Sequence, residues 1–109
     1  MTTDTIQLQD VDLWEAWIEY DQFNPTHFGT LYILGEIMIE AGSAGPLITK
    51  GYDSEARLVL NVPPQPHGRS RMKEVLYSEP VKSLNQYKGI SIYSGEALIA
   101  RLDDIEVLV

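Results

Sequence analysis

Two histidines, His27 and His67, are the only side chains in this sequence whose ordinary pKa lies near neutrality. Beside Glu36 or Asp21 they would be candidates to hold a metal or move a proton. The spacing gives that idea no support, because there is no HExxH and no third histidine. Solvated turn histidines are the plainer reading. Ser43, Ser70, Ser78 and Ser94 lie in or near turns, but none sits in a GxSxG context, so a hydrolase has no motif behind it. Asp10, Asp12, Asp103 and Asp104 would form an oxygen-rich, calcium-type group if the two ends of the sequence met. Carboxylates that keep strand edges soluble explain them more simply. The run GSAG at 42–45 lacks the Walker spacing, and no GK[ST] follows it. No catalytic residue, metal ligand or cofactor site is assigned on these grounds.

Binding chemistry is better represented. The stretch 63–70, PPQPHGRS, is stiff and long for a connection inside a compact domain, and such loops are often functional. His67, Arg69 and Arg71 would project from it, and an arginine offers a planar fork to a carboxylate or phosphate. A merely mobile tip is the competing reading. The PxxP spacing within 63–66 occurs once and is a weak signal.

Residues 13–23, LWEAWIEYDQF, and 26–40, THFGTLYILGEIMIE, must position whatever lies around them. The second run is rich in β-branched and aromatic residues and too apolar for a solvated helix face. Asn24-Pro25 breaks the chain between the runs, since Pro25 has no N–H and biases Asn24 away from helical geometry. A hairpin with a four-residue loop at 24–27 sets Phe23 opposite Phe28, Ile18 opposite Ile33, Ala16 opposite Gly35 and Trp14 opposite Ile37. Side chains alternate, so the last three pairs share one face, and the small pair Ala16 and Gly35 leaves room for a neighbouring layer. The other face holds Trp17 opposite Leu34, Glu19 opposite Tyr32, Glu15 opposite Glu36, and Leu13 opposite Met38. A helix over 12–22 is the rival reading, because Asp12 with Glu15 resembles a capping box and Leu13, Trp14, Trp17 and Ile18 have helical spacing.

Met1–Asp4 read as loose, and TIQLQ at 5–9 as a short edge strand. Residues 41–50, AGSAGPLITK, read as a loop crossing to a second layer. EARLVLNV at 55–62 and RMKEVLYSE at 71–79 form the next strands. They are paired with Val62 opposite Arg71, Leu58 opposite Val75 and Ala56 opposite Tyr77, and Pro80 ends the second. Residues 81–87 are irregular or one helical turn. ISIY at 90–93 and EALIARL at 96–102 flank a two-residue turn at Ser94-Gly95, with Ile92 opposite Ala97 and Ile90 opposite Ile99. Asp103-Asp104 interrupts the pattern as a bulge before 105–109 resumes it. The expectation is an all-β fold, a small antiparallel β-sandwich or partly open β-barrel of six to seven strands, in a single domain spanning 1–109.

The chain of 109 residues is long enough for a core without staples, and it contains no cysteine. That removes disulfides and thiol chemistry and suits a reducing compartment. The start has no signal-peptide pattern and no apolar run approaches a membrane span, so a cytoplasmic protein with no membrane partner is expected. The net charge of −8 argues against nucleic acid as a partner. Residues 1–49 carry eight acidic side chains and no lysine or arginine, whereas 50–88 carry seven basic and four acidic. Such segregation places basic strands beside acidic ones in one domain, or supports self-association or an acidic face toward a basic partner. The expected function is a non-catalytic β-domain that binds another protein or itself, as a homodimer, through Trp17, Tyr32, Leu34, Glu15 and Glu36. The alternative is a small ligand-binding barrel or enzyme with a pocket lined by Tyr20, Tyr32, Tyr77, Tyr93 and Trp17.

Overall fold

Period-two alternation of burial is plain at 29–40 and 57–62 of the computed structural model, which describes residues 14–23, 26–40, 42, 47–51, 56–64, 66 and 68–108. There are eight strands and, among the described residues, no helix: β1 (Trp14–Tyr20), β2 (Gly29–Glu40), β3 (Thr49–Lys50), β4 (Arg57–Val62), β5 (Ser70–Val81), β6 (Gly89–Ser94), β7 (Ala97–Leu102) and β8 (Glu106–Leu108). The helical reading of 12–22 is therefore overturned over the described part of that stretch. Tertiary burial of one face outweighs the local capping pattern.

The strands form two packed four-stranded sheets, ordered β5-β2-β1-β8 and β3-β4-β6-β7. This is a sandwich, not a closed barrel. Each sheet is mixed, because β1 runs parallel to β8 and β4 parallel to β6. The expectation of purely antiparallel sheets is corrected on that point. The chain crosses between layers at each of β2–β3, β4–β5, β5–β6 and β7–β8.

The hairpin of β1 and β2 forms with its faces as the alternation requires. Trp14, Ile18, Ile33 and Ile37 are all buried, at 6 % exposure or less. Its register is displaced by two residues from the expected one: Trp14 faces Gly35, Ala16 faces Ile33, Ile18 faces Leu31 and Tyr20 faces Gly29. A shift of two keeps every side chain on its face, whereas a shift of one would turn the core outward. The turn chemistry explains the difference. The Asp21 carboxylate accepts a hydrogen bond from the Phe23 backbone N–H at 3.0 Å, and the Asp21 N–H donates to the Phe28 carbonyl. The loop closes there and leaves Phe23 exposed. The space at Gly35 is filled by its own hairpin partner, since any Cβ there would collide with the Trp14 indole.

Pairing of 55–62 with 71–79 does not occur. β4 lies in the second sheet between β3 and β6, while β5 lies along β2 in the first. Period-two patterns fix which face a strand buries but not which strand it meets. Ala56 is not part of β4; it takes a turn conformation with φ 64. Pro80 does not end β5, because β5 is an edge strand, where a missing N–H is tolerated. Residues 41–50 do connect the two layers.

The hairpin of β6 and β7 turns on Gly95-Glu96, not Ser94-Gly95. Ser94 faces Ala97 and Tyr93 faces Leu98, then a bulge resets the register so that Ile92 faces Ala100 and Ile90 faces Leu102. Gly95, at φ 62, occupies the left-handed position that mirror-image hairpin turns need at their first central residue. The bulge restores Ala100 and Leu102 to the buried face. Asp103-Asp104 is no bulge; it belongs to the segment that carries the chain back to the first sheet, where β8 joins β1. Inward side chains of both sheets make one core, with Leu31, Ile33, Leu58, Leu60, Ile90, Ile92 and Val81 fully enclosed.

Candidate interaction surface

The outward face of the first sheet collects most of the binding residues that the sequence points to. Its rows follow from the register. Trp17 lies between Tyr32 and Glu106, with Ser78 beyond Tyr32. The next row holds Glu15, Leu34 and Leu76. Glu36 faces Glu74, and Met38 faces Met72. The Trp17 and Tyr32 rings stack, with centroids 5.5 Å apart and planes at 22°. The Trp17 indole N–H donates to Glu19 at 3.0 Å, so its polar atom is engaged while its ring faces outward. Leu76 is 55 % exposed and Met72 47 %. An apolar strip of Trp17, Tyr32, Leu34, Leu76, Met38 and Met72 thus runs along the face, rimmed by carboxylates on all four strands.

No lysine or arginine shares this face among the described residues. Arg71 and Lys73, the two cations of these four strands, sit opposite Ile39 and Ile37 and so belong to the inward side of β5. The expected Glu15–Glu36 pair is not formed. Glu15 faces Leu34, and Glu36 meets Glu74 of β5 instead. Arg57 is engaged within its own sheet, donating to the Ile90 carbonyl, to Ser91 and to Asp103.

The loop at 63–70 is only partly described. Arg69 is exposed, and Arg71 lies inside β5, not on the loop. Ser94 donates to the Pro63 carbonyl at 2.8 Å, which fixes the start of the connection. His67 lies outside the described residues, as do the expectations for 1–13, Asn24-Pro25 and Ser43.

One polar cluster has the residue types of an acid–base site and went unnoticed in the sequence. Lys50 of β3 donates to the Tyr87 hydroxyl at 3.0 Å and pairs with Glu79 at 3.3 Å. The Tyr77 and Tyr87 hydroxyls donate to the two oxygens of Glu79 at 2.7 and 2.8 Å. The Tyr87 hydrogen bond holds the Lys50 ammonium well above its ordinary pKa, against a smaller lowering by burial. Burial first, then the Glu79 carboxylate, raises Tyr77; burial likewise raises Tyr87. Every shift moves the group away from neutrality, the reverse of what general acid–base work at pH 7 requires. The cluster ties the β3 edge of one sheet to the β5 edge of the other. No sequence motif announces it, because its members come from three separate parts of the chain, at 50, 77–79 and 87. A second tie holds the sheet-switching segment: Arg57 donates to Asp103 at 2.8 Å, and that bond lowers the Asp103 pKa.

The aromatic residues expected to line a pocket are not brought together. Trp17 and Tyr32 face outward on the first sheet, while Tyr20 packs on Phe28 at the hairpin end. Tyr77 lies at the inner edge of β5, and Tyr93 is on the second sheet opposite Asn61 and Leu98. The depression that contains His27 is open, about 290 Å³, and lined also by Asp21, Gln22 and Lys82. Among the described residues there is no group of three or more His, Asp or Glu arranged to hold a metal. No buried side-chain nitrogen or oxygen lacks a partner there.

The chain matches no family model, no curated protein and no solved structure. Fold and surface chemistry therefore carry the functional reading. No helix among the described residues is long and apolar enough to cross a membrane.

Proposed function

We propose that this chain is a non-catalytic β-sandwich that binds a protein partner through the outward face of its first sheet. The observation that carries the reading is the strip of half-buried Trp17, Tyr32 and Leu34 beside exposed Leu76, rimmed by Glu15, Glu19, Glu36, Glu74 and Glu106, with no lysine or arginine on this face among the described residues. Contiguous apolar surface rimmed by charge is the usual mark of a contact site. The chemistry selects the partner: apolar side chains to cover the strip and lysines or arginines to meet the rim. Nucleic acid, being anionic, is disfavoured on the same face. The lack of cysteine suits work in the reducing cytoplasm.

The test compares the native chain with a Leu34→Lys/Leu76→Lys variant as immobilised bait for proteins of the source cell. A basic partner is expected to be retained by the native chain, released as salt rises, and not retained by the variant, whose circular dichroism should be unchanged. Retention of the same proteins by both chains would remove this face from the reading.

A further inference from the structure

We infer that β5 pairs with β5 of a second copy of this chain, antiparallel about a two-fold axis through Leu76, joining two first sheets into one continuous sheet. The inference stands apart from the partner reading, since it uses the edge of the sheet and not its face.

Four strands lie at sheet edges, and three of them are short: β3 has two residues, β8 three and β7 six. β5 has twelve, bonded to β2 on one side and to no described strand on the other. A long unpaired edge is a template for another strand. Its protections are one proline and four charged side chains, Arg71, Lys73, Glu74 and Glu79. Pro80 lies near one end, and Arg71 and Lys73 face the inward side near the other.

Residues directly opposite in an antiparallel pair share a face, so a two-fold pairing of β5 is restricted to registers that match like parity. Centring on Lys73 or Glu74 sets identical charges against each other, and centring on Met72 sets Arg71 against Lys73; each is unfavourable. Centring on Val75, Leu76 or Tyr77 avoids every like-charge contact, and of these only the Leu76 register sets the half-exposed Leu76 against its own copy. Lys73 then faces Glu79 of the partner subunit, Glu74 faces Ser78 of the partner subunit, and Val75 faces Tyr77 of the partner subunit. Leu76 meets its own copy. The half-exposed Leu76 is covered, and with Leu34 beside it the apolar row continues from one subunit into the next. Pro80 falls at the end of the paired stretch, where a missing N–H disturbs the ladder least. The inward lysine that guards the edge against chance partners thereby becomes a selective contact for an identical strand. Closed two-fold dimers are also the commonest oligomers.

Sedimentation equilibrium of the full chain between about 1 and 200 μM is expected to show a monomer–dimer equilibrium, with dimer dominant at the upper end. Leu76→Lys, an exposed change that sets like charges together at the axis, is expected to sediment as monomer with an unchanged circular dichroism spectrum. The chain has no cysteine. A Leu76→Cys variant therefore carries a single thiol, and mild oxidation is expected to link it into a covalent dimer at least tenfold faster than Leu34→Cys, one strand further in. A native chain that stays monomeric throughout, a dimer that survives Leu76→Lys, or equal cross-linking of the two cysteine variants would each overturn the inference.

Discussion

The two faces of the first sheet are both rich in large apolar residues, yet they meet opposite fates. Inward, Trp14, Ile18, Leu31, Ile33, Ile37 and Ile39 are exposed by 6 % at most. Outward, Trp17, Tyr32, Leu34 and Met38 remain partly in water, and Leu76 and Met72 are about half exposed. Hydrophobicity alone does not separate them. The inward set is aliphatic apart from Trp14 and meets the second sheet, whereas the outward set mixes aromatics, leucines and methionines with glutamates and meets no second layer among the described residues. A face prepared for solvent and contact differs from a core face in what stands between its apolar residues.

Four measurements would break or sharpen that contrast. Ile33→Ala should cost about 2–5 kcal/mol, as large-to-small changes in enclosed cores do, while Leu76→Ala on the other face should stay within about 0.5 kcal/mol. Urea unfolding of both variants decides this, and similar losses would end the distinction. Gly35→Ala tests the inward side by overfilling it. The added methyl collides with the Trp14 indole, and a loss of about 1–3 kcal/mol is expected, with a shift in tryptophan fluorescence.

The rim of the inward face, where Lys50, Tyr77, Tyr87 and Glu79 meet, should respond to alkali. All three of Lys50, Tyr77 and Tyr87 have pKa values raised in the folded chain. The folded chain therefore keeps protons that the unfolded chain releases near pH 10. The stability they provide is complete below that pH and is lost as pH rises above it. Thermal melts at pH 8 to 11 should show the fall, and Tyr87→Phe should flatten it. A further small effect lies off both faces. Ala56 holds φ 64, so Ala56→Gly should raise stability by roughly 0.5–1 kcal/mol, the left-handed penalty less the added freedom of the unfolded glycine.

Alternation made the faces legible from the residues alone: Trp14, Ile18, Ile33 and Ile37 belong together whichever register the hairpin takes. Register itself was not legible, because it depends on where the turn closes, which alternation does not fix. The partners of β4 and β5 were equally hidden. Their sequences adjoin and alternate as a hairpin would, and only the packing of two layers separates them. Of the candidate surface, Trp17, Tyr32, Leu34, Glu15 and Glu36 could be placed on one face in advance. Leu76, Met72 and Glu74 join them through the β2–β5 pairing, which the hairpin reading of β5 concealed.

The pairing of β8 with β1 bears on how the chain reaches its fold. Trp17 and Glu106, Ile18 and Val107, and Glu19 and Leu108 are matched across roughly ninety residues of sequence, and contacts between such distant segments slow folding because a large loop must close first. No described strand other than β8 covers that edge of β1, so its backbone groups at Trp17–Glu19 depend on this pairing. A strand of only three residues thus closes this edge of the first sheet, through its longest-range pairing.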